Sequence, residues 1–515
     1  MKPKTCLTYS LMIIFLFLGI GYSSGQKKPE DGYLGKAELY KAKKAAFDYL
    51  NDPEIIKAYG NISDSIWNFA ELGMQEFRSS ATLIRKLEQE GFTVQKGLAG
   101  MPTCFVATWG KGKPSIGILG EYDALPMISQ KALTPVKSPV VEGGPGHGCG
   151  HNLMGTAGIA AAIAVKRSME ENNIPGTIVF FGSPAEETVT SRPFMVRAGL
   201  FNDIDAVIDN HASTGFGTAY GVDGTAIISA IFTFKGKTAH SAGAPWSGRS
   251  ALDGVELMNV ATNYLREHLF YTYRMHYVIT EGGEAPNVVP DRASVWYYIR
   301  DTDERLEEMF GRVKDCARGA AIASGTTLDT VRIITAIHQK HSNKGMAETI
   351  QRNIELVGMP AWSEKENVFA KALQKELKQK ETGYADTVNP LKKPAEIQVG
   401  GGSTDVGEVT LVAPTATLNF PGGVPGMTGH HWSAVASYYG SAAWKGLNAG
   451  AKVMAGTALD LLTKPQLLKE IKDEFAAYSK DHPYKTFLPE GTKPPVDFNK
   501  ELMDKFRNAL NNVDN

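Results

Sequence analysis

Five short clusters of the 515-residue sequence hold the side chains able to do chemistry at neutral pH. They are Glu121-Tyr-Asp-Ala-Leu-Pro126, Gly146-His-Gly-Cys-Gly-His-Asn152, Ser183-Pro-Ala-Glu-Glu187, Asp209-Asn-His211 and His430-His431-Trp432. Together they supply one thiol, several imidazoles and several carboxylates, the donor set of a transition-metal site. Cys149 and His151 stand one residue apart at a glycine-flanked turn, where both can face one centre and the backbone can approach closely. Glu186 and Glu187 point in different directions on irregular backbone, so one can bind metal while the other handles protons. A lone Cys-Gly-His also arises as a buried thiol beside a capping histidine. Clustering favours the metal: six of the eleven histidines fall in or beside these clusters or in Lys237-Thr-Ala-His240.

The elements that must position these residues are legible in the flanking patterns. Short apolar runs bounded by Gly or Pro occur at Ile116–Leu119, Thr177–Phe181, Ala206–Ile208 and Thr415–Leu418, with helical stretches between them. Buried strands alternating with helices predict an α/β fold with a mostly parallel sheet. Three of the clusters directly follow three of these runs, and open α/β sheets bind ligands at the carboxyl ends of their strands. The Cys149 cluster opens a helix of small residues over Leu153–Val165, and residues 36–91 read mainly as helices. Between about Ala226 and Ala336 the character changes. Ile228–Phe234 alternates as a strand with one exposed face, Gly248–His268 reads as a helix, Ser294–Ile299 as a strand and Asp303–Ser324 as a helix, which suits a small inserted α+β unit. From Lys452 onward, Lys, Glu and Pro predict a helical, solvent-facing extension.

Composition bounds the rest. The sequence is 43% apolar and 21% charged, with 54 basic and 55 acidic side chains, which excludes collagenous, coiled-coil and wholly disordered chains. Nothing provides the basic field that nucleic-acid binding requires. The length exceeds the roughly 250–300 residues at which one core stops growing, so more than one domain is expected. Lys2 and Lys4, the apolar run Leu11–Ile20 and the small residues Ser23-Ser24-Gly25 read as a signal peptide over residues 1–25. That run is shorter than the roughly 20 apolar residues a membrane span needs. The expectation is an exported protein, periplasmic or secreted, with no membrane partner after cleavage. Its remaining cysteines, Cys104, Cys149 and Cys316, do not make a disulfide scaffold.

Seven motifs in order, Gly-Glu-Tyr-Asp-Ala-Leu-Pro, Gly-His-Gly-Cys-Gly-His-Asn, Pro-Ala-Glu-Glu, Thr-Ala-His-Ser-Ala, Pro-Asn-Val-Val-Pro-Asp-Arg, Gly-Ser-Thr-Asp-Val-Gly and Gly-His-His-Trp, resemble the aminoacylase/carboxypeptidase family of dinuclear metallohydrolases. Within it they look most like the aminobenzoyl-glutamate hydrolase branch. The resemblance runs from about residue 40 to about 455. It implies that Cys149, His151, Glu187, His211 and His430 hold two divalent metal ions, zinc or manganese. It also implies Glu186 as catalytic base and Asp123 as an orienting residue behind a ligand. His431 is then a neighbour and His147 structural. Asn152 stands where many members carry Asp, which leaves the arrangement bridging the metals open. The family's zinc-peptidase-like catalytic domain would occupy residues 33–225 and 337–455, its lid and dimerisation domain 226–336, and a helical extension 456–515. In such a homodimer, or a heteromer, His240 would reach the partner's active site, while Asn287 and Arg300 would contact the substrate carboxylate.

The implied reaction is hydrolysis of the amide bond of an N-acyl amino acid bearing a free carboxylate, such as p-aminobenzoyl-glutamate. Two other readings stand beside it: a dipeptidase on the same scaffold, and a binding protein or non-catalytic partner subunit. Serine hydrolase and nucleotide-binding readings find no motif. Gly-Gly-Gly-Ser403 and Gly155-Thr-Ala-Gly158 lack the arrangements those chemistries use.

Overall fold

The computed structural model describes residues 37–396 and 399–511, so the expected signal peptide lies outside the described residues. Along the chain, β1 (Thr93–Lys96), β2 (Phe105–Lys111), β3 (Ser115–Gly120), β4 (Gly176–Gly182), β5 (Ala206–Ser213) and β6 (Gly217–Thr218) enter a central sheet. The short β7 (Gly221–Asp223) then leads out to β8 (Ala226–Lys235), β9 (Arg274–Glu281), β10 (Arg292–Asp301) and β11 (Thr327–Ile337). β12 (Lys340–Ser342) returns antiparallel to β7, and β13 (Thr415–Pro421) completes the central sheet. Its order is β1-β2-β4-β3-β5-β13-β6. The four strands β4, β3, β5 and β13 are mutually parallel, and antiparallel pairs flank them. This is the predicted α/β class, and it brings the carboxyl ends of those four strands to one edge.

One face of the sheet is covered by the helices Ala37–Asn51, Pro53–Phe69, His151–Asn172, Lys344–Val357 and Gly440–Thr463. Small residues allow close packing there. Ala157, Ala160, Ala161 and Ala164 of one helix share a core with Ala451, Ala455 and Ala458 of another. A Cβ on Gly446 would lie 1.4 Å from the Pro421 carbonyl oxygen, so only glycine lets this helix cross the end of β13.

The placement of a solvent-facing extension from Lys452 is corrected here. Gly440–Thr463 is one continuous helix, and Val453 to Leu462 are buried in the main core. Position 455 is therefore no boundary: the apolar Val-Met-Ala-Gly-Thr-Ala-Leu run after Lys452 outweighs the charged composition that follows it. The rest of the chain folds back over the molecule. Tyr484 donates its hydroxyl to Glu408 at 2.6 Å, Asn499 donates to the Gly73 carbonyl at 2.9 Å, and Phe498 meets the Trp296 ring edge-on at 5.2 Å. Met503, Phe506 and Leu510 bury against Ala70, Leu72 and Ala124.

The second sheet is antiparallel throughout, in the order β11-β8-β10-β9. It holds four strands where the sequence suggested two. β9 is a charged, exposed edge, and β11 carries few apolar residues in its first half. β8 was read as having an exposed face, but its position inside this sheet buries all but two of its residues. Helices Ala251–Leu265 and Asp303–Ser324 cover one face, packing on Phe232, Val295, Tyr297 and Ile299. The alternate residues Trp296, Tyr298 and Arg300 point to the other face, toward Phe498 and Ser403.

Candidate metal centre

The strand ends build the centre from below. β3 delivers Glu121 and Asp123, two residues apart and so on one side of the extended chain. β4 runs into the turn that carries Glu186 and Glu187. Ala185 there takes the left-handed conformation (φ 59°), and buried Glu76 accepts its N–H at 2.8 Å. β5 carries His211 near its end, and the loop after β13 carries His430. Gly150 (φ 85°) starts the helix that begins at His151.

His151 is fully buried, and its Nδ1 sits 2.8 Å from Asp123 Oδ1. Donation from Nδ1 to that carboxylate leaves Nε2 as a lone-pair donor, the usual tautomer of a metal-binding histidine. His211 is set the same way: its Nδ1 donates to the Ala212 carbonyl at 2.7 Å, and its Nε2 lies 3.3 Å from Cys149 Sγ. Glu187 donates its backbone N–H to Asp123 Oδ2 at 3.1 Å, and its Oε2 lies 3.4 Å from His430 Nε2. His430 itself (φ 55°) is tied by its N–H to the Gly148 carbonyl, so the two histidine-bearing loops hold each other.

Three groups of donor atoms result, each within 4.8 Å: Cys149/His151/His211, Cys149/Glu187/His430 and Glu121/His151/Glu186. Cys149 belongs to two of them. His151 Nε2 and Glu187 Oε1 are buried, 3.7 Å apart, and neither makes a hydrogen bond among the described residues. Nε2 does approach Glu121 Oε2 at 3.1 Å, a charge contact without hydrogen-bond geometry. Buried polar atoms are rarely left so. A cation between them would satisfy both, and the mixed thiolate, imidazole and carboxylate set fits divalent metal.

The electrostatics point the same way. Burial, then the negative charges of Glu121 and Glu187, push Glu186 well above the ordinary carboxylate range. Burial also raises Glu187, to about 8, against the opposing pull of His151. Burial opposes a charge on His151, yet Glu121, Cys149 and Asp123 together raise it. His211 is pushed down to about 4 by burial and then by His151. Added positive charge would relieve this crowding of acids.

The sequence-derived residues separate into two places. Cys149, His151, Glu186, Glu187, His211, His430 and Asp123 meet at the strand ends. His240 and Asn287 do not join them. They lie side by side in the second unit, where Ser241 donates to the Asn287 carbonyl at 3.1 Å and the exposed His240 ring accepts from the Ala242 and Gly243 N–H groups. Arg300 stands between, donating to Ser403 Oγ at 2.6 Å while its charge acts on Glu186 and His430. His147 is buried with its Nε2 3.0 Å from the Ile66 carbonyl.

Three residues of the centre went unassigned from sequence. Glu121 shares Asp123's side of the chain, a period-two signal that was available. Asp405 lies in the quoted Gly-Ser-Thr-Asp-Val-Gly motif without an assigned role. Arg192, wholly buried, bonds both of them, Glu121 at 2.7 Å. No motif announces it.

Comparison with known proteins now adds to the geometry. Residues 117–514 match the model of "Peptidase family M20/M25/M40". The chain belongs to this peptidase family. It is 37% identical over 463 residues to one of the subunits of the p-aminobenzoyl-glutamate hydrolase of Escherichia coli, covering 85% of this chain and 95% of that one. It is also 30% identical to the Xaa-Arg dipeptidase of Mus musculus, over 87% of this chain and 96% of the relative. A solved aminobenzoyl-glutamate utilization protein from Klebsiella pneumoniae shares the fold at 16% identity and a TM-score of 0.57, covering 81% and 98% of the two chains. A dinuclear metal-binding peptidase from Bacillus subtilis does so at 18% and 0.52, covering 80% and 99%. This M20-family chain is thus a metal-dependent hydrolase of amide bonds, with the mostly parallel catalytic sheet and the separate α+β unit the sequence predicted, the latter built on an antiparallel sheet.

Proposed function

We propose that the chain hydrolyses the amide bond of N-acyl amino acids that keep a free carboxylate, with p-aminobenzoyl-glutamate as the reference substrate. The observation that carries the reading is the pair of buried ligand atoms that make no hydrogen bond among the described residues, His151 Nε2 and Glu187 Oε1, beside half-buried Glu186. Cys149, His151, Glu187, His211 and His430 are the ligands of two divalent ions, and Asp123 fixes the His151 tautomer. The thiolate favours zinc, while the carboxylates admit manganese. When bound, such ions act as Lewis acids and bring the pKa of a water from about 15.7 to roughly 7.

Glu186 takes the proton of the attacking water and delivers it to the departing nitrogen. His240, supplied by a second copy, donates to the carbonyl oxygen as negative charge develops, and Asn287 meets the substrate carboxylate. A homodimer through the second sheet is supported by the unpaired edge of β9 and by the exposed Leu257, Val260 and Tyr264, spaced along one stripe of their helix. Export rests on the N-terminal pattern.

A dipeptidase reading is favoured by the 30% identity to the Xaa-Arg dipeptidase. The test is metal content and hydrolysis of p-aminobenzoyl-glutamate and a dipeptide panel by one purified sample. Two metals per chain with aroyl-glutamate cleavage is the expected result; cleavage of dipeptides alone selects the second reading, and absence of metal refutes both.

A further inference from the structure

The inner face of the second sheet contains a pair that sheet energetics disfavours. Arg274 on β9 and Arg300 on β10 are direct cross-strand partners, so their side chains leave the same face. Like charges directly opposite destabilise a sheet. Among the described residues neither arginine makes an ion pair with a carboxylate, although each guanidinium has five N–H donors. Arg274 spends its Nη1 on the Tyr271 and Tyr273 carbonyls, and Arg300 spends its Nη1 on Ser403 Oγ.

Both guanidinium groups reach one loop. A Cβ on Gly400 would lie 2.9 Å from Arg274 Nη2, and Arg300 holds Ser403 three residues on. Gly400 and Gly401 take positive φ (66° and 106°), so the backbone draws back where side chains would fill the space. Tyr298 floors the arrangement, with the Arg300 guanidinium 5.3 Å from its ring centre. Ser403 lies two residues before Asp405, which Arg192 ties to Glu121, so the loop that both guanidinium groups reach runs into the metal centre.

We infer that Arg274 and Arg300 form a receptor for a second carboxylate, the side-chain carboxylate of an acidic residue on the amine side of the scissile bond. The inference rests on the amidohydrolase reading and narrows its substrate class to acyl-aspartates and acyl-glutamates. Two convergent guanidinium groups bind a carboxylate with directed, charge-assisted hydrogen bonds. They repel a substrate whose side chain is itself cationic, so the same pair excludes Xaa-Arg substrates.

The test compares p-aminobenzoyl-L-glutamate, its neutral isostere p-aminobenzoyl-L-glutamine and p-aminobenzoyl-L-arginine. Wild type is expected to favour glutamate over glutamine by roughly 10- to 100-fold in kcat/KM, with the arginine compound weakest. Arg274→Gln and Arg300→Gln each lower that ratio about tenfold, chiefly through KM, and Arg274→Lys restores part of it. Equal rates on glutamate and glutamine in wild type, or an unchanged ratio in both variants, overturn the inference. Binding of the three compounds to metal-loaded Glu186→Gln protein asks the same question without turnover. Preference for glutamate there with no hydrolysis by wild type would sink the amidohydrolase reading and leave the arginine receptor standing; no preference sinks the receptor.

Discussion

The strand-end cluster and the His240–Asn287 loops prepare polar side chains in opposite ways. In the cluster His151 and Asp123 are wholly buried, and Glu121 and Glu187 keep only 3% of their side-chain surface exposed. Charges taken out of water are tolerated only when partners are fixed around them. Arg192 clamps Glu121 and Asp405, Asp123 holds both His151 and the Glu187 backbone, and Glu76 pins the turn at Ala185. Folding alone settles that geometry. The His240 ring is instead exposed and held by two N–H groups of its own loop. Among the described residues nothing uses its outward nitrogen. One region is complete within a single copy, and the other waits for something to meet it.

The largest effect that could break this contrast is at the base. Glu186→Gln keeps shape and hydrogen-bonding reach but cannot take a proton, so kcat should fall about 10³-fold or more while metal content stays the same. Retained activity would move the base elsewhere. Arg192→Met probes the frame. It leaves Glu121 and Asp405 buried without their cation, and stability should fall by about 3–5 kcal/mol, read as a lowered denaturation midpoint. A midpoint unchanged within about 0.5 kcal/mol would show that the cluster does not depend on this clamp. The His240 loop should behave in the reverse manner. His240→Ala is expected to lower kcat about 10²-fold with no loss of stability. Mixing it with Glu186→Gln should recover about a quarter of wild-type activity, because half the reassorted dimers hold one complete site of two. No recovery on mixing would mean that His240 does not serve a second copy.

Much of the cluster was legible because its physics is local. A buried parallel strand reads as an apolar run, its end is punctuated by Gly or Pro, and the polar residues just beyond must lie at the sheet edge. The four central parallel strands and the residues Asp123, Cys149, His151, Glu186, Glu187, His211 and His430 follow from that logic together with the family resemblance. What escaped is long-range. Arg192 is an ordinary arginine until the fold brings Glu121 and Asp405 to it across 71 and 213 residues of sequence. β9, Arg-Met-His-Tyr-Val-Ile-Thr-Glu, carries strand-forming residues without a clean apolar/polar alternation, because at the sheet edge Val278 and Ile279 stay exposed. The boundary expected at 455 falls inside the Gly440–Thr463 helix because the charged composition that suggested it begins only beyond the helix, whereas burial is decided residue by residue.

The smallest predicted effect lies where the two regions join. His338 immediately follows β11, its Nδ1 2.6 Å from Glu408 Oε1 and its ring stacked on Phe487 of the returning C-terminal chain at 4.0 Å. Burial disfavours its charge, but the hydrogen bond and charge of Glu408, helped by Asp303, raise its pKa above the ordinary 6.5. A group raised on folding binds its proton more tightly in the folded state. Its contribution to stability is therefore full below about pH 6.5 and fades as the pH climbs through the folded-state value. Denaturation midpoints measured upward from pH 6 should show a loss on the order of 1 kcal/mol that His338→Gln abolishes. If the variant keeps the same slope, the pH dependence belongs to the acid-rich metal cluster, and the joint is held by Phe487 packing and by the hydrogen bonds that Tyr484 and the backbone N–H of residue 338 donate to Glu408.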